Sequence, residues 1–383
     1  MKTKFFCIPA FRRTLFVIFL AGFGLSIISN AQAAVTFLGV SAGDATSTHA
    51  TLWTRAVDSA APANLVLRLE ITTDPAFASS ITPFPGACST DSTKDYVCKV
   101  ELNGLIPNTV YYYRFVEPLG VVSNIGRVKT APDASTGAPV HFAFSGDNDG
   151  LIRPYALASV LPDQNLDFYV NLGDVIYENA SNLTLSGAHN GESWLNSPSV
   201  TLSGSSSTLN GVPTFTGFAT QAQLKSEYEK KYRENFLPVN TGGQNSLQVL
   251  YASQGNYTIW DNHELGNRQY INGGAPAGGS IGGAAGNDMP TGRGVDARDN
   301  GAGNLGNVND VNNSSSDYIN RSTGFITLRN VFINYQPITN RPPVNAPTDP
   351  RTDGTAQLYF SQPWGKNAIL ITGCLGTSFP SLM

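Results

Sequence analysis

Charge is what this chain has least of. Charged residues make up 14% of its 383 positions, and the 24 Lys and Arg do not outnumber the 28 Asp and Glu. Sequence-independent binding to nucleic acid draws its affinity from cation–phosphate contacts, so this balance argues against it. Apolar runs are short as well: Leu15 to Ile28 spans 14 residues, fewer than the roughly 20 a helix needs to cross a bilayer. Cysteine is sparse, at four. What is present is 41% hydrophobic residues, enough for two cores at this length, and 38 glycines among many Ser and Asn. Such a composition implies long polar loops of the kind common outside the cell.

The first 33 residues read as an address. Lys2, Lys4, Arg12 and Arg13 form a basic start, the apolar run follows, and Ala31-Gln32-Ala33 is a small-residue cleavage site, with processing expected before Ala34. Cleavage removes four cations and no acids, taking the formal charge from -4 to about -8. Arg12-Arg13-Thr14-Leu15-Phe16 resembles a twin-arginine export signal, with an ordinary Sec signal as the alternative. The expectation is a periplasmic or extracellular protein, carried by the export machinery and left without a stable membrane span. Cys7 departs with the signal. Cys88 and Cys98 are near enough in sequence to close a disulfide loop in an oxidising compartment, and Cys374 has no partner.

Residues 34–131 read as an all-β domain. Leu65, Leu67, Leu69 and Ile71 alternate with polar or smaller neighbours, and Val110 to Val116 and Ile125 to Val128 continue the strand signals. Short strands at this spacing suggest an immunoglobulin-like or fibronectin-like sandwich. Pro132 to Pro139 is a linker by composition. From 139 to 383 an α/β pattern follows, with continuous apolar runs at Val140–Phe144, Asp167–Leu172, Tyr257–Trp260 and Ala368–Ile371, as in sheets covered on both faces. Leu224, Tyr228, Tyr232 and Phe236 recur every four residues and predict a helix over 219–237 with a core-facing aromatic stripe. A second helical pattern covers 325–335. The Gly/Ser/Asn-rich stretches 181–218 and 271–318 carry no periodicity and are assigned no structure.

Three of the apolar runs end in metal-binding residue types. The first leads into Asp147-Asn148-Asp149, the second into Gly173-Asp174-Val175-Ile176-Tyr177-Glu178, the third into Asp261-Asn262-His263-Glu264. Neighbouring parallel strands would gather these clusters at one carboxyl edge, where α/β sheets bind ligands. Carboxylates crowded there repel, and cations relieve the repulsion. Each residue also has a plainer reading: Asp174 as a turn residue, Tyr177 as a core aromatic, Asp149 as an Asx-turn residue. Glu178 and Glu264 either orient backbone and neighbouring ligands or touch metal. His141, inside a strand, reads as structural, and His49 and His189 show no partner.

GD-x-x-YE followed by W-D-N-H-E resembles the binuclear metallophosphatases, in particular the alkaline phosphatase D family and its purple acid phosphatase relatives. Leu38 to Arg55, Leu328 to Pro337 and Leu358 to Gly365 are similar to segments of that family in the same order. The resemblance implies a sandwich followed by a four-layer α/β/β/α metallophosphatase domain, and hydrolysis of phosphomonoesters or phosphodiesters by a metal-bound hydroxide. It implies Asp147, Asp174, Tyr177 and Asn262 as metal ligands, with Asp174 bridging two or more ions, Fe with Ca or with Zn or Mn. Tyr177 would hold the iron, and His263 would stabilise or protonate the leaving oxygen. The first cluster departs from the family's Ser-Cys or Asp-x-His, so Asp149 stands as a substitute ligand beside Asp147. No histidine follows His263, and Thr372 to Met383 lacks the family's Asp-x-Arg segment. The expectation is a C-terminally incomplete chain, with incomplete metal affinity and an exposed sheet. The competing class is a secreted binding or surface protein whose phosphatase half is inactive.

Overall fold

The computed structural model describes residues 35–58, 65–148, 155–176, 207–209, 212–214, 221–236, 246–261, 264, 323–347 and 353–372. Seven strands come from the N-terminal third: β1 (Val35–Gly43), β2 (His49–Asp58), β3 (Leu65–Thr72), β4 (Thr82–Thr90), β5 (Val97–Asn103), β6 (Val110–Val116) and β7 (Gly126–Lys129). Alternation decides their faces. In β3, Leu67 and Leu69 are fully buried while Val66 is 48% exposed, so one side of the strand turns to a core. β4-β3-β6-β7 form an antiparallel sheet. It faces β5-β2-β1 across a core that includes Val40, Leu52, Leu69, Leu102 and Phe115. A disulfide joins Cys88 of β4 to Cys98 of β5, with Cα atoms 5.8 Å apart, and so links edge strands of the two facing sheets.

The rest of the described chain adds β8 (Phe142–Ser145), α1 (Ala156–Val160), β9 (Phe168–Asn171), β10 (Ser207–Leu209), β11 (Val212–Thr214), α2 (Gln221–Glu234), α3 (Ser246–Ser253), β12 (Gly255–Thr258), α4 (Thr323–Tyr335), β13 (Phe360–Trp364) and β14 (Ala368–Thr372). The β5-β2-β1 sheet does not stop at the compositional linker. β1 pairs in parallel with β12, Ala42 opposite Gly255 and Gly43 opposite Asn256, and the order runs on as β5-β2-β1-β12-β9-β8. Gly43 permits the junction: a Cβ there would lie 2.5 Å from the Pro337 carbonyl and 2.7 Å from that of Asn256. The Asn256 amide adds bonds to the carbonyls of Ala42 at 3.0 Å and Tyr251 at 3.1 Å.

One face of this mixed sheet is covered by helices. Tyr228, Tyr232 and Phe236, the stripe at a spacing of four, are buried with Leu250, Leu328, Phe332 and Tyr335 against Trp53, Tyr169 and Trp260. The helix behind the stripe ends at Glu234, four residues before Pro238, with Phe236 in the turn that follows. The other face is covered by the β4-β3-β6-β7 sheet over one half and by β13–β14 over the other, where Trp364 packs 4.5 Å from Phe168. No helix among the described residues is long and apolar enough to cross a membrane.

Two expectations need correction. Ala368–Ile371 is not a strand of the parallel sheet: β14 pairs antiparallel with β13 in a separate hairpin, leaving Ile369 and Ile371 each 65% exposed. Val140–Phe144 is likewise not covered on both faces: β8 lies at the edge of the sheet among the described residues, and Phe142 and Phe144 are 48% and 63% exposed. A short apolar run signals a strand but does not say how many faces find a partner. Within 181–218, read as without structure, β10 and β11 form a small antiparallel hairpin.

Candidate metal centre

β8, β9 and β12 are adjacent and parallel, so the chain leaves all three at the same edge. Their exits are bound together by backbone. Leu172 N–H reaches the Ser145 carbonyl at 2.8 Å, Ile259 N–H the Asn171 carbonyl at 3.0 Å, Asp147 N–H the Gly173 carbonyl at 3.2 Å and Asn148 N–H the Asp174 carbonyl at 2.8 Å. The clusters after the first two strands thus meet as expected, bringing Asp147 and Asp174 to neighbouring loops.

Both aspartates take the left-handed backbone conformation, with φ of 57° and 51°, one that Asp tolerates better than most residues. The turn is built locally. Asn171 ends β9 and its Oδ1 accepts Gly173 N–H at 3.0 Å, while its Nδ2 donates to Tyr251 at 2.9 Å. Gly173, at φ 100°, is required here: a Cβ would lie 2.5 Å from the Asp261 nitrogen. Val175 and Ile176 then bury themselves among the helices, and Asn235 of the turn after α2 donates to the Val175 carbonyl. Asp174 is therefore held inside, 5% exposed, while Asp147 is exposed.

Glu264 resolves one ambiguity of the sequence. Its carboxylate is fully buried and accepts three backbone N–H groups: Asp174 at 2.9 Å and Asp261 at 2.8 Å on one oxygen, Val175 at 2.5 Å on the other. It orients backbone. Burial, and then the charge of Asp174, pushes its carboxyl up to about 7, against the pull of those three bonds. The Tyr232 hydroxyl is pushed up as well, by burial first and next by the charge of Glu264, with Asp174 contributing. Two carboxylates on adjoining loops are of the type that suits a hard or borderline cation.

Tyr177, Asn262, His263 and Asp149 lie outside the described residues. Among the described residues no group of three or more His, Cys, Asp or Glu gathers as a metal cluster, so Asp147 and Asp174 are the two candidate ligands that the structure brings to adjoining turns. The sequence reading passed over Asn148, whose carbonyl accepts the Tyr155 hydroxyl at 2.7 Å and whose amide nitrogen is buried without a partner among the described residues. It also passed over Asn171, for which the N-x-G spacing was an available signal.

Residues 25–132 match the family model described as "PhoD-like phosphatase, N-terminal domain". Over that stretch the chain is similar to the PhoD-like phosphatases. Alkaline phosphatase D of Bacillus subtilis (strain 168) is 30% identical over 154 residues, which are 38% of this chain and 26% of that protein. The solved structure of PhoD superposes with a TM-score of 0.53 at 18% identity, covering 87% of this chain and 51% of PhoD, a likeness of fold. The chain thus spans about half of the PhoD structure, and its match covers about a quarter of the curated PhoD-like relative.

Proposed function

We propose that this chain is an exported, metal-dependent phosphoesterase acting on phosphomonoesters or phosphodiesters. Its layout would be an immunoglobulin-like sandwich followed by an α/β metallophosphatase domain of the four-layer type. The observation that carries the reading is the convergence of three parallel strand ends, β8, β9 and β12, whose exits lead into Asp147, Asp174 and the Asp261–Glu264 motif. The match of residues 25–132 to the PhoD-like N-terminal domain and the 30% identity to alkaline phosphatase D over 154 residues support it.

Asp147, Asp174, Tyr177 and Asn262, with Asp149 in reserve, would hold two or more ions, Fe with Ca or with Zn or Mn. Bound cations supply acidified water and neutralise charge gathering at phosphorus. The chain's own part is geometric. Asp174 sits in a buried left-handed turn, and Asp147 lies on the adjoining, exposed one. His263 would donate its proton to the leaving oxygen.

Metal analysis and hydrolysis of p-nitrophenyl phosphate and bis-p-nitrophenyl phosphate by the purified chain test the reading. About two ions per chain, and turnover abolished in Asp174→Asn, are expected. Protein without metal and without hydrolysis of either ester overturns it.

A further inference from the structure

We propose that Glu264 is a positioning residue, one that fixes the ligand-bearing turn of Asp174 against the end of β12 and so sets metal affinity without binding metal. The inference rests on the metal-dependent reading above. Three facts point to it. First, among the described residues the carboxylate's three donors are main-chain N–H groups, and they come from two different strand exits: Asp174 and Val175 after β9, Asp261 after β12. Second, those exits approach so closely that only glycine fits at 173, where a Cβ would meet the Asp261 nitrogen at 2.5 Å and the Trp260 carbonyl carbon at 2.7 Å. Third, Glu264 is completely buried, so it faces the chain and not an incoming substrate.

A left-handed aspartate ends the regular ladder, and its N–H needs a partner from elsewhere. Glu264 provides it. A carboxylate suits the task because both of its oxygens are acceptors, and charge-assisted bonds to backbone N–H are about twice as strong as neutral ones. Glutamine has the same shape but one acceptor oxygen, so its amide N–H₂ would confront either the Val175 N–H or the pair from Asp174 and Asp261, donor against donor. Aspartate keeps the charge but falls one methylene short of spanning both exits. The side chain thus does for the Asp174 turn what partners behind a metal ligand do elsewhere, where their loss weakens metal affinity about 10–100-fold.

The test compares the full chain with Glu264→Gln. Hydrogen exchange is followed in peptides covering residues 170–176 and 257–261, Mn²⁺ affinity is measured by calorimetry, and hydrolysis of p-nitrophenyl phosphate is titrated with Mn²⁺. The variant should exchange at least about tenfold faster in those two peptides, with β3 unchanged. It should bind Mn²⁺ about 10–100-fold more weakly and recover turnover in excess Mn²⁺, whereas Asp174→Asn should not recover. Unchanged exchange overturns the proposal, and so does faster exchange with Mn²⁺ affinity like that of the starting protein. If the unaltered chain neither binds Mn²⁺ nor hydrolyses the ester, the functional reading falls, the metal-affinity role falls with it, and exchange decides whether Glu264 joins the two exits. Should E264Q fail to fold, E264D is read by the same three measurements.

Discussion

Arg341 donates from Nη2 to Oδ2 of Asp44 at 2.5 Å, tying the segment that follows α4 to the turn between β1 and β2. Asp44 is 4% exposed, and the same oxygen accepts Thr339 N–H at 2.8 Å. Removing one partner of a buried pair strands the other charge. Arg341→Ala should therefore lower unfolding free energy by about 3–5 kcal/mol, measured by urea denaturation. Adding Asp44→Asn should restore part of that loss, because the stranded charge disappears.

Lys99 gives the protein an alkaline signature. Its ammonium donates to the carbonyls of Ile333 at 2.8 Å and Ile338 at 3.1 Å, at and beyond the end of α4. Burial pulls it from 10.5 down to about 8, with Asp44 and Glu101 opposing and Arg341 and Lys94 assisting. Its folded value lies below its unfolded one, so its contribution is fully present above pH 10.5 and is lost as pH falls through 8. Compared with Lys99→Met, the unaltered protein should gain about 3 kcal/mol between those limits, read from denaturation midpoints at stepped pH.

The exposed side of β8 should govern solubility. Phe144 is 63% exposed on an edge strand, and bare apolar edges invite pairing with other chains. Phe144→Lys should delay aggregation in light scattering and shift the unfolding free energy by less than about 0.5 kcal/mol. Phe142 is the poorer choice, since its ring stacks on Phe168 at 5.1 Å.

Reduction of the disulfide should loosen the sandwich. Cys88 and Cys98 are 10 residues apart and bridge the two facing sheets. Opening the bond should cost about 2–4 kcal/mol, seen as a lower denaturation midpoint in dithiothreitol, with the Cys88→Ala, Cys98→Ala double variant behaving like the reduced protein.

Local pattern was enough for the strands around Leu67 and Leu69, for the aromatic stripe of α2 and for the carboxyl-edge placement of Asp147 and Asp174, because each follows from a short period or a short motif. Partners distant in sequence were not legible. Nothing near Ala42 announces that it lies opposite Gly255, and nothing in Ala368–Ile371 distinguishes a hairpin strand with a bare face from a strand enclosed on both sides. Glu264 was ambiguous for a chemical reason: a carboxylate beside candidate ligands serves equally to bind a cation or to collect N–H groups, and the sequence does not show the three donors that the fold brings to it.

The sheet that runs from β5 to β8 also bears on how the protein is made. β1 meets β12 only after more than two hundred further residues, with Ala42 beside Gly255. At about 5–20 residues per second of synthesis, that flank of β1 would wait on the order of 10–40 s. The strand that closes it is the one that leads into Trp260-Asp261-Asn262-His263-Glu264. Completion of the N-terminal sheet and arrival of the last motif of the candidate centre are thus a single event in the life of the nascent chain.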